Sequence, residues 1–250
     1  MEMTFIVPAE EQGKTAGEFL LHRGASRRLI TKLKRVPSGI TRNGSLCRTI
    51  DKVNEKDVIK IFMEDEKKLT PNGELFVPVL YESECAVVFD KPSLMPVHPS
   101  IKHQGDTLGN YFSFLYPSLT FRPVNRLDRD TSGCCVVAKT PFSAKALQFS
   151  VRKIYYAVVV GQCESEGTID LPIARKESSI ILREVSMSGQ KAVTHYKRIY
   201  TDGRYSLVEI YLETGRTHQI RVHFSHIGYP LLGDGMYGEK SDIISRQALH

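Results

Sequence analysis

Several features that mark common enzyme classes are missing from this sequence. Its five cysteines include no CxxC pair, so neither a zinc site nor thioredoxin-like redox chemistry is indicated. No stretch approaches the roughly 18 uninterrupted apolar residues of a membrane span, and the opening MEMTFIVPAEEQ lacks the pattern of a secretory leader. The chain also has no P-loop and no HExxH pattern. We therefore expect a soluble, cytoplasmic monomer with reduced thiols, without a membrane partner, a metal or another cofactor.

Length and charge narrow the class further. At 250 residues the chain is long enough for one or two domains with a proper hydrophobic core. Its 34 lysines and arginines exceed its 28 acidic residues, which gives a net charge of +6. A basic balance of this kind favours a polyanionic partner such as RNA.

The positive charge is concentrated near the N-terminus. Residues 13–63 are predicted to form a small helix-rich unit that ends in short strands at residues 40–42 and 58–62, with a turn at Asn43 and Gly44. Ser26 is a candidate N-cap for the second helix. Only cations occur among the charged residues of this helical segment, and the candidate RNA-binding side chains are Arg23, Arg27, Arg28, Lys32, Lys34 and Arg35. The alternative is a solvated basic surface, which is what most charge runs are.

This segment resembles the alpha-L RNA-binding domain of a small-subunit ribosomal protein. The resemblance is carried by the SRR-led helix at residues 26–28, the GIxxNG pattern at residues 39–44 and the DVIxI strand at residues 57–61. It implies an alpha-L domain over residues 1–63, with its core at residues 13–63.

Residues 64–84 are polar and contain a Pro-Asn-Gly turn, so they are predicted to be a linker into a second domain at residues 85–250. Strand patterns occur at residues 86–90, 134–138, 154–160, 192–200 and 205–212. One helix is predicted after the cap Thr140, with Pro141 at its first position, and another after Thr217. Strands outnumber helices without regular alternation, so we expect an α+β fold with a mixed, mainly antiparallel sheet.

The densest cluster of charge in this second domain is the stretch RPVNRLDRDTSG, which lies before a hydrophobic strand. Composition alone favours an ion-paired surface loop, because surface pairs are common and weak. The whole string, however, resembles the central motif RLDxxTSG of the RluA-type pseudouridine synthases. The resemblance implies that Asp128 is the catalytic residue and that Arg126 contacts RNA and helps to displace the target nucleotide.

Other segments resemble the same family in the same order. VVFDKPSLMPVHP resembles its first motif through Lys91, Pro92 and His98, KIYYAVVVG places its active-site tyrosine at Tyr155, and LETGRTHQIRVHFSHIGYPLLGDGMYG places the arginine that pairs with the catalytic aspartate at Arg221. The chain departs from the family pattern in two places, because Asn125 replaces a common histidine and Leu94 a common glycine. Its last residues, ISRQALH, resemble the start of the family's closing segment, so we expect the chain to be truncated at its C-terminus.

The implied reaction breaks the bond from ribose C1′ to uracil N1 and rejoins the base through C5, so it needs no cofactor. Asp128 must be ionised and held by a cation, a role that suits Arg221. Tyr155 could stack on the uracil, although a tyrosine in an apolar strand is more often a core residue. The sequence leaves open whether Asp128 attacks C1′ or removes a proton from C2′.

Two other classes are compatible with parts of the sequence. One is an RNA-binding protein with an inactive catalytic fold, which the intact Asp128, Tyr155 and Arg221 argue against. The other is a hydrolase of glycosidic bonds, which would need a second carboxylate, with Asp130 as the nearest candidate. His218, His223 and His226 share a helix, but no adjacent acid or cysteine completes a metal site. The implied substrate is a structured RNA, and we favour large-subunit ribosomal RNA over transfer RNA.

Overall fold

The structure is a computed structural model that describes residues 2–63 and 69–250. The chain divides into two compact units that interleave along the sequence. The first comprises Met1–Phe89, Gln104–Asn125 and Cys135–Val151, and the second comprises Asp90–His103, Arg126–Cys134 and Arg152–His250.

The N-terminal part of the first unit combines two short helices with an antiparallel sheet. The elements are β1 (Glu2–Ile6), α1 (Ala16–His22), α2 (Arg27–Leu33), β2 (Ile40–Arg42), β3 (Ser45–Leu46) and β4 (Val58–Phe62), with the sheet order β1-β4-β2-β3. Ser26 caps α2 as predicted, because its hydroxyl accepts the Leu29 N–H. Residues 13–63 contain both helices followed by β2, β3 and β4, and a distinct helical domain is not shown. The strand β1, which was not predicted from the sequence, pairs along its whole length with β4. Residues 2–6 alternate between exposed and half-buried positions, which suits a strand covered on one face.

The rest of the first unit contains β5 (Val79–Glu82), most of β6 (Ala86–Lys91), α3 (Leu108–Leu115), most of β7 (Gly133–Ala138) and α4 (Pro141–Ser150). The strand β6 is central in a sheet of order β5-β6-β7. Thr140 caps α4 and Pro141 occupies its first turn, as the sequence predicts. Phe142 of α4 packs against the N-terminal core. Within the predicted linker, residues 64–68 lie outside the described residues, and β5 is a strand paired with β6.

The second unit is built on a long antiparallel sheet. Its elements are β8 (Ile154–Val160), β9 (Glu166–Asp170), β10 (Ile173–Arg175), β11 (Arg183–Val185), β12 (Val193–Thr201), β13 (Tyr205–Leu212) and α5 (Gln219–His226). The main sheet has the order β8-β13-β12-β9, and β10 and β11 form a separate antiparallel pair. Ile220 and Phe224 of α5 pack into the sheet's core with Ala157, Val208 and Ile210. This packing fixes the face of α5 that carries Arg221.

The predicted strands and both helices of the second domain are therefore confirmed, and the antiparallel pairing confirms the expected mixed class. No helix among residues 2–63 and 69–250 is long and apolar enough to cross a membrane. All five cysteines are free thiols, and three of them, Cys47, Cys135 and Cys163, are buried.

Candidate active site

Asp128 lies on the loop that precedes β7, and this loop is anchored at both ends. The Thr131 N–H donates to the Asp128 carbonyl at 3.1 Å, and the buried Thr131 hydroxyl accepts a hydrogen bond from Gln247 at 3.1 Å. The fully buried Lys91 ammonium donates to the main-chain carbonyl of Arg129 at 3.2 Å, as well as to two carbonyls of the turn that follows β6. A buried ammonium needs such acceptors, so Lys91 of the first motif ties two loops together.

The alternative interpretation of this loop as an ion-paired surface loop applies to the residues that follow Asp128. The Arg129 guanidinium donates to Asp130 at 2.7 Å, and the Arg129 side chain is half exposed. The Asp128 carboxylate is 28% exposed, close to the 29% of Asp130, but it faces the buried Arg221. Geometry therefore separates Asp128 from the adjacent ion pair, and Asp130 is engaged with Arg129.

Arg221 is held in place by a partner that sequence reasoning missed. Its Nε and Nη2 donate to the two carboxylate oxygens of Asp234 at 2.7 and 2.8 Å, and its Nη1 lies 3.4 Å from Asp128. Both Arg221 and Asp234 are at least 95% buried. Burial lowers the pKa of Arg221, but the hydrogen bonds and charge of Asp234, together with Asp128, outweigh it and raise this pKa above its ordinary value. The bidentate partner of Arg221 is therefore Asp234, and Asp128 faces the third guanidinium nitrogen.

Asp234 is positioned by the loop after α5. Its Oδ1 accepts the N–H groups of Met236 and Tyr237 at 3.1 and 3.3 Å, which turns the loop back over the helix. The Tyr237 ring lies 5.0 Å from the Arg221 guanidinium carbon. These residues belong to the long third motif, so the motif itself was the signal that could have identified them.

His218 is a second residue near Asp128 to which the sequence assigned no role. Its Nε2 lies 3.9 Å from Asp128, and its Nδ1 lies 2.7 Å from the Tyr237 hydroxyl. Its backbone is left-handed, with φ at 58°, just before α5 begins. Burial, the largest cause, lowers the pKa of His218; Asp128 opposes this effect and Arg221 adds to it. The imidazole is therefore neutral near pH 7, and the cation beside Asp128 is Arg221.

One small pocket brings the predicted residues together. It is lined by Arg126, Asp128, Tyr155 and Arg221, the four side chains to which the family resemblance assigns a role in the reaction, and also by His218. Tyr155 is half-buried on β8 and packs against the core of the sheet. It also lines the pocket, so one side of the residue is part of the core and another side is available to a ligand. Arg126 is exposed at the pocket. Leu212, Ile220 and Leu249 supply apolar walls.

The two departures from the family pattern have a structural account. Asn125 is buried and its side-chain oxygen accepts the Val136 N–H at 2.8 Å, so it secures the start of the loop to β7. Leu94 adopts φ of 66°, the left-handed region that glycine favours. Leu94 is 65% exposed, so its side chain meets no steric obstacle.

The histidines of α5 have separate environments. His223 is fully buried, with its ring nitrogens 2.9 Å from the Thr194 hydroxyl and 2.9 Å from the Leu171 carbonyl. In the described part of the chain, no group of three histidine, cysteine or acidic residues is arranged to hold a metal ion.

The candidate RNA-binding residues lie in and around α2, in the first compact unit. Arg27, Arg28, Lys34 and Arg35 are exposed, and none of the ion pairs formed by residues 2–63 and 69–250 involves them. Arg23 is exposed and its guanidinium lies 5.3 Å from the Phe19 ring, and Lys32 is half-buried. The helix therefore presents a positively charged surface. Its role in RNA binding stays a prediction.

Comparisons with known proteins point to one enzyme family. The family described as RNA pseudouridylate synthase matches residues 86–226, more than half of the chain. The chain is 38% identical over 248 residues to a Bacillus subtilis protein named uncharacterized RNA pseudouridine synthase YjbO, covering 94% of this chain and 88% of that protein. It is 40% identical over 211 residues to ribosomal large subunit pseudouridine synthase D of Pseudomonas aeruginosa, covering 80% of this chain and 65% of that protein.

A solved structure also matches the fold. Human RNA Pseudouridylate Synthase Domain Containing 1 superimposes with a TM-score of 0.59 at 27% identity, over 73% of this chain and 79% of that one.

Proposed function

The chain belongs to the RNA pseudouridylate synthase family of isomerases, and we propose that it converts uridine to pseudouridine in large-subunit ribosomal RNA, with Asp128 as its catalytic carboxylate. The observation that carries this proposal is the meeting of Asp128, Arg126, Tyr155 and Arg221 in one pocket. The choice of RNA is supported by relatives named ribosomal large subunit pseudouridine synthase D, at about 40% identity.

The geometry suits a reaction that begins at an ionised carboxylate. Arg221 lies 3.4 Å from Asp128 and is itself fixed by Asp234, so it supplies a positive charge in a set direction. Either first step, attack on C1′ or removal of the C2′ proton, needs Asp128 unprotonated and held toward the ribose. Rejoining the base through C5 then releases the C5 proton, which makes hydrogen release at C5 a direct signal of the reaction.

Arg126 and Tyr155 are proposed to handle the target nucleotide. The base must leave its stack before C1′ can be reached, which costs a few kcal/mol. Arg126 is exposed two residues from Asp128, where a guanidinium can occupy the space that the base leaves. Tyr155 lines the same pocket and offers a ring for stacking.

The central test compares two neighbouring aspartates. Asp128→Asn should abolish tritium release from transcribed large-subunit ribosomal RNA labelled at uridine C5, while RNA binding changes little, because the substitution removes one charge of a preformed pocket. Asp130→Asn is the matched control, since Asp130 is as exposed as Asp128 but pairs with Arg129, and it should retain turnover. Full turnover in Asp128→Asn would refute the assignment. Release of free uracil without pseudouridine would instead identify a hydrolase.

The N-terminal basic surface is proposed to bind structured RNA, in keeping with its resemblance to an alpha-L domain. Because Phe142 packs against the N-terminal core, deleting residues 1–63 would expose that residue, so substitution is the cleaner test. Replacing Arg27, Arg28, Lys34 and Arg35 by alanine should lower RNA affinity and reduce the slope of log K against log[salt] by up to about 0.9 per lost phosphate contact. An unchanged slope would show a merely solvated helix face. A cytoplasmic location and a monomeric state are part of the same proposal.

A further inference from the structure

The short hairpin of β10 and β11 contains a pair of opposed like charges that should destabilise it. Arg175 and Arg183 are directly opposite each other in the antiparallel register. Like charges at directly opposed positions of a strand pair repel and are destabilising. None of the ion pairs within residues 2–63 and 69–250 involves either arginine. An anion bound between them would remove this repulsion.

The two arginines line a cavity that is suited to such an anion. The cavity has a volume of about 330 Å³, and Arg216 is the third arginine on its wall. Ser188, Gln190 and Thr217 complete its polar lining, and no acidic side chain from the described part of the chain contributes to it. Three guanidinium groups without a carboxylate among them match the charge and the hydrogen-bond acceptors of phosphate groups.

The walls of the cavity are held by main-chain contacts, so the site is formed in advance. Ile173 and Gln190 exchange two backbone hydrogen bonds of 2.9 Å, which fasten the turn after β11 to β10. A Cβ at Gly189 would lie 2.5 Å from the Ile173 carbonyl carbon, so only glycine fits there. The Arg183 Nη1 donates to the carbonyls of Ile181 and Leu182, both at 3.0 Å, which orients its guanidinium.

Arg216 connects this cavity to the candidate active site, because it lines both. Its Nε donates to the Lys191 carbonyl at 3.0 Å, and its own N–H donates to the buried Gln219 side chain at 2.9 Å. Arg216 is thus fixed at the start of α5, next to the segment that carries His218 and Arg221. An anion in the cavity would lie beside a nucleotide in the catalytic pocket.

We propose that the cavity lined by Arg175, Arg183 and Arg216 binds the backbone phosphates that flank the target uridine, an inference that rests on the proposed function. The phosphates next to an extruded nucleotide must be held while the base leaves its stack, and contacts of this kind position RNA without reading its sequence. The cavity therefore fixes the position of the RNA strand relative to the catalytic pocket, where the reaction takes place.

The test measures the salt dependence of RNA binding with full-length variants. The double variant Arg175→Ala and Arg183→Ala should reduce the magnitude of the slope of log K against log[salt] by about 1.4 on single-stranded oligouridylate, at about 0.7 per lost phosphate contact. The double variant Arg175→Lys and Arg183→Lys should retain most of the wild-type slope, because it keeps both positive charges. Arg204→Ala, an exposed arginine of the β12–β13 turn outside both cavities, is the matched control and should leave the slope unchanged.

The outcomes separate this inference from the proposed reaction. An unchanged slope in the double alanine variant, with the wild-type protein forming pseudouridine in transcribed ribosomal RNA, would overturn the phosphate site and leave the reaction standing. A reduced slope without any pseudouridine from the wild-type protein would support the phosphate site and refute the reaction. A slope lost equally in the lysine and alanine variants would indicate a structural effect and count against the site. Thermal unfolding of every variant checks that the hairpin still folds.

Discussion

Replacing Asp234 by asparagine should damage folding far more than the same change at Asp128. The substitution leaves the acceptor oxygen for Met236 and Tyr237 in place but removes the charge opposite Arg221, whose guanidinium is buried and stays protonated. Removing one partner of a buried ion pair costs about 3–5 kcal/mol. For a chain of this size about 1 kcal/mol corresponds to roughly 2–4 °C, so the unfolding midpoint should fall by roughly 6–20 °C. Asp128 is 28% exposed and touches Arg221 only at 3.4 Å, so Asp128→Asn should cost about 1 kcal/mol or less.

Thermal unfolding followed by circular dichroism, with tritium release measured on the same preparations, separates the two effects. Asp234→Asn should lose both stability and turnover, because Arg221 loses its orientation. Asp128→Asn should lose turnover alone. If Asp234→Asn melted within about 2 °C of the wild-type protein, or if Asp128→Asn were equally destabilised, the assignment of Asp234 as the partner that fixes Arg221 would be wrong.

Two further predictions concern the base and the pH. Tyr155→Ala should lower kcat/KM by roughly 5- to 150-fold, the equivalent of about 1–3 kcal/mol of stacking, whereas Tyr155→Phe should retain most of this contribution; equal losses in the two variants would assign the effect to the hydroxyl. Burial lowers the pKa of His223 below its ordinary value of 6.5, so the unfolded chain binds its proton first and the stabilising contribution of neutral His223 is lost as pH falls below 6.5. The free energy of unfolding should decline there by up to about 1.4 kcal/mol per pH unit for this group, and His223→Gln should flatten the decline; the same slope in that variant would contradict this account.

Local signals in the sequence predicted β6, β7, β8, β12, β13, α4 and α5, because alternating burial and capping residues such as Thr140 act over a few positions. They did not predict α3 or the shorter strands β9, β10 and β11. They also singled out the four side chains of the pocket, since these lie in long contiguous motifs. Pairings between distant segments could not be predicted in this way. Nothing local joins β1 to β4, which is why the strand at Glu2–Ile6 was missed. The pairing of Arg221 with Asp234 likewise depends on a loop that folds back over α5.

The same limit applies to the hairpin of β10 and β11. The sequence contains Arg175 and Arg183, but only their register places the two charges opposite each other. The left-handed conformation of Leu94 could not be predicted from the residue type, because leucine rarely adopts it. The only indication is that the family pattern has glycine at this position.

The guanidinium of Arg221 contacts Asp234 and Asp128 together, and this arrangement orients the cation when the chain folds. Two of its nitrogens are fixed by Asp234 within the fold, so the third points at Asp128. The conformational entropy of the Arg221 side chain is therefore lost when the chain folds, and its loss does not weaken the binding of substrate. More of the RNA-binding free energy is then left for extruding the uridine. The site is preorganised by a residue that is itself too deeply buried to touch the RNA.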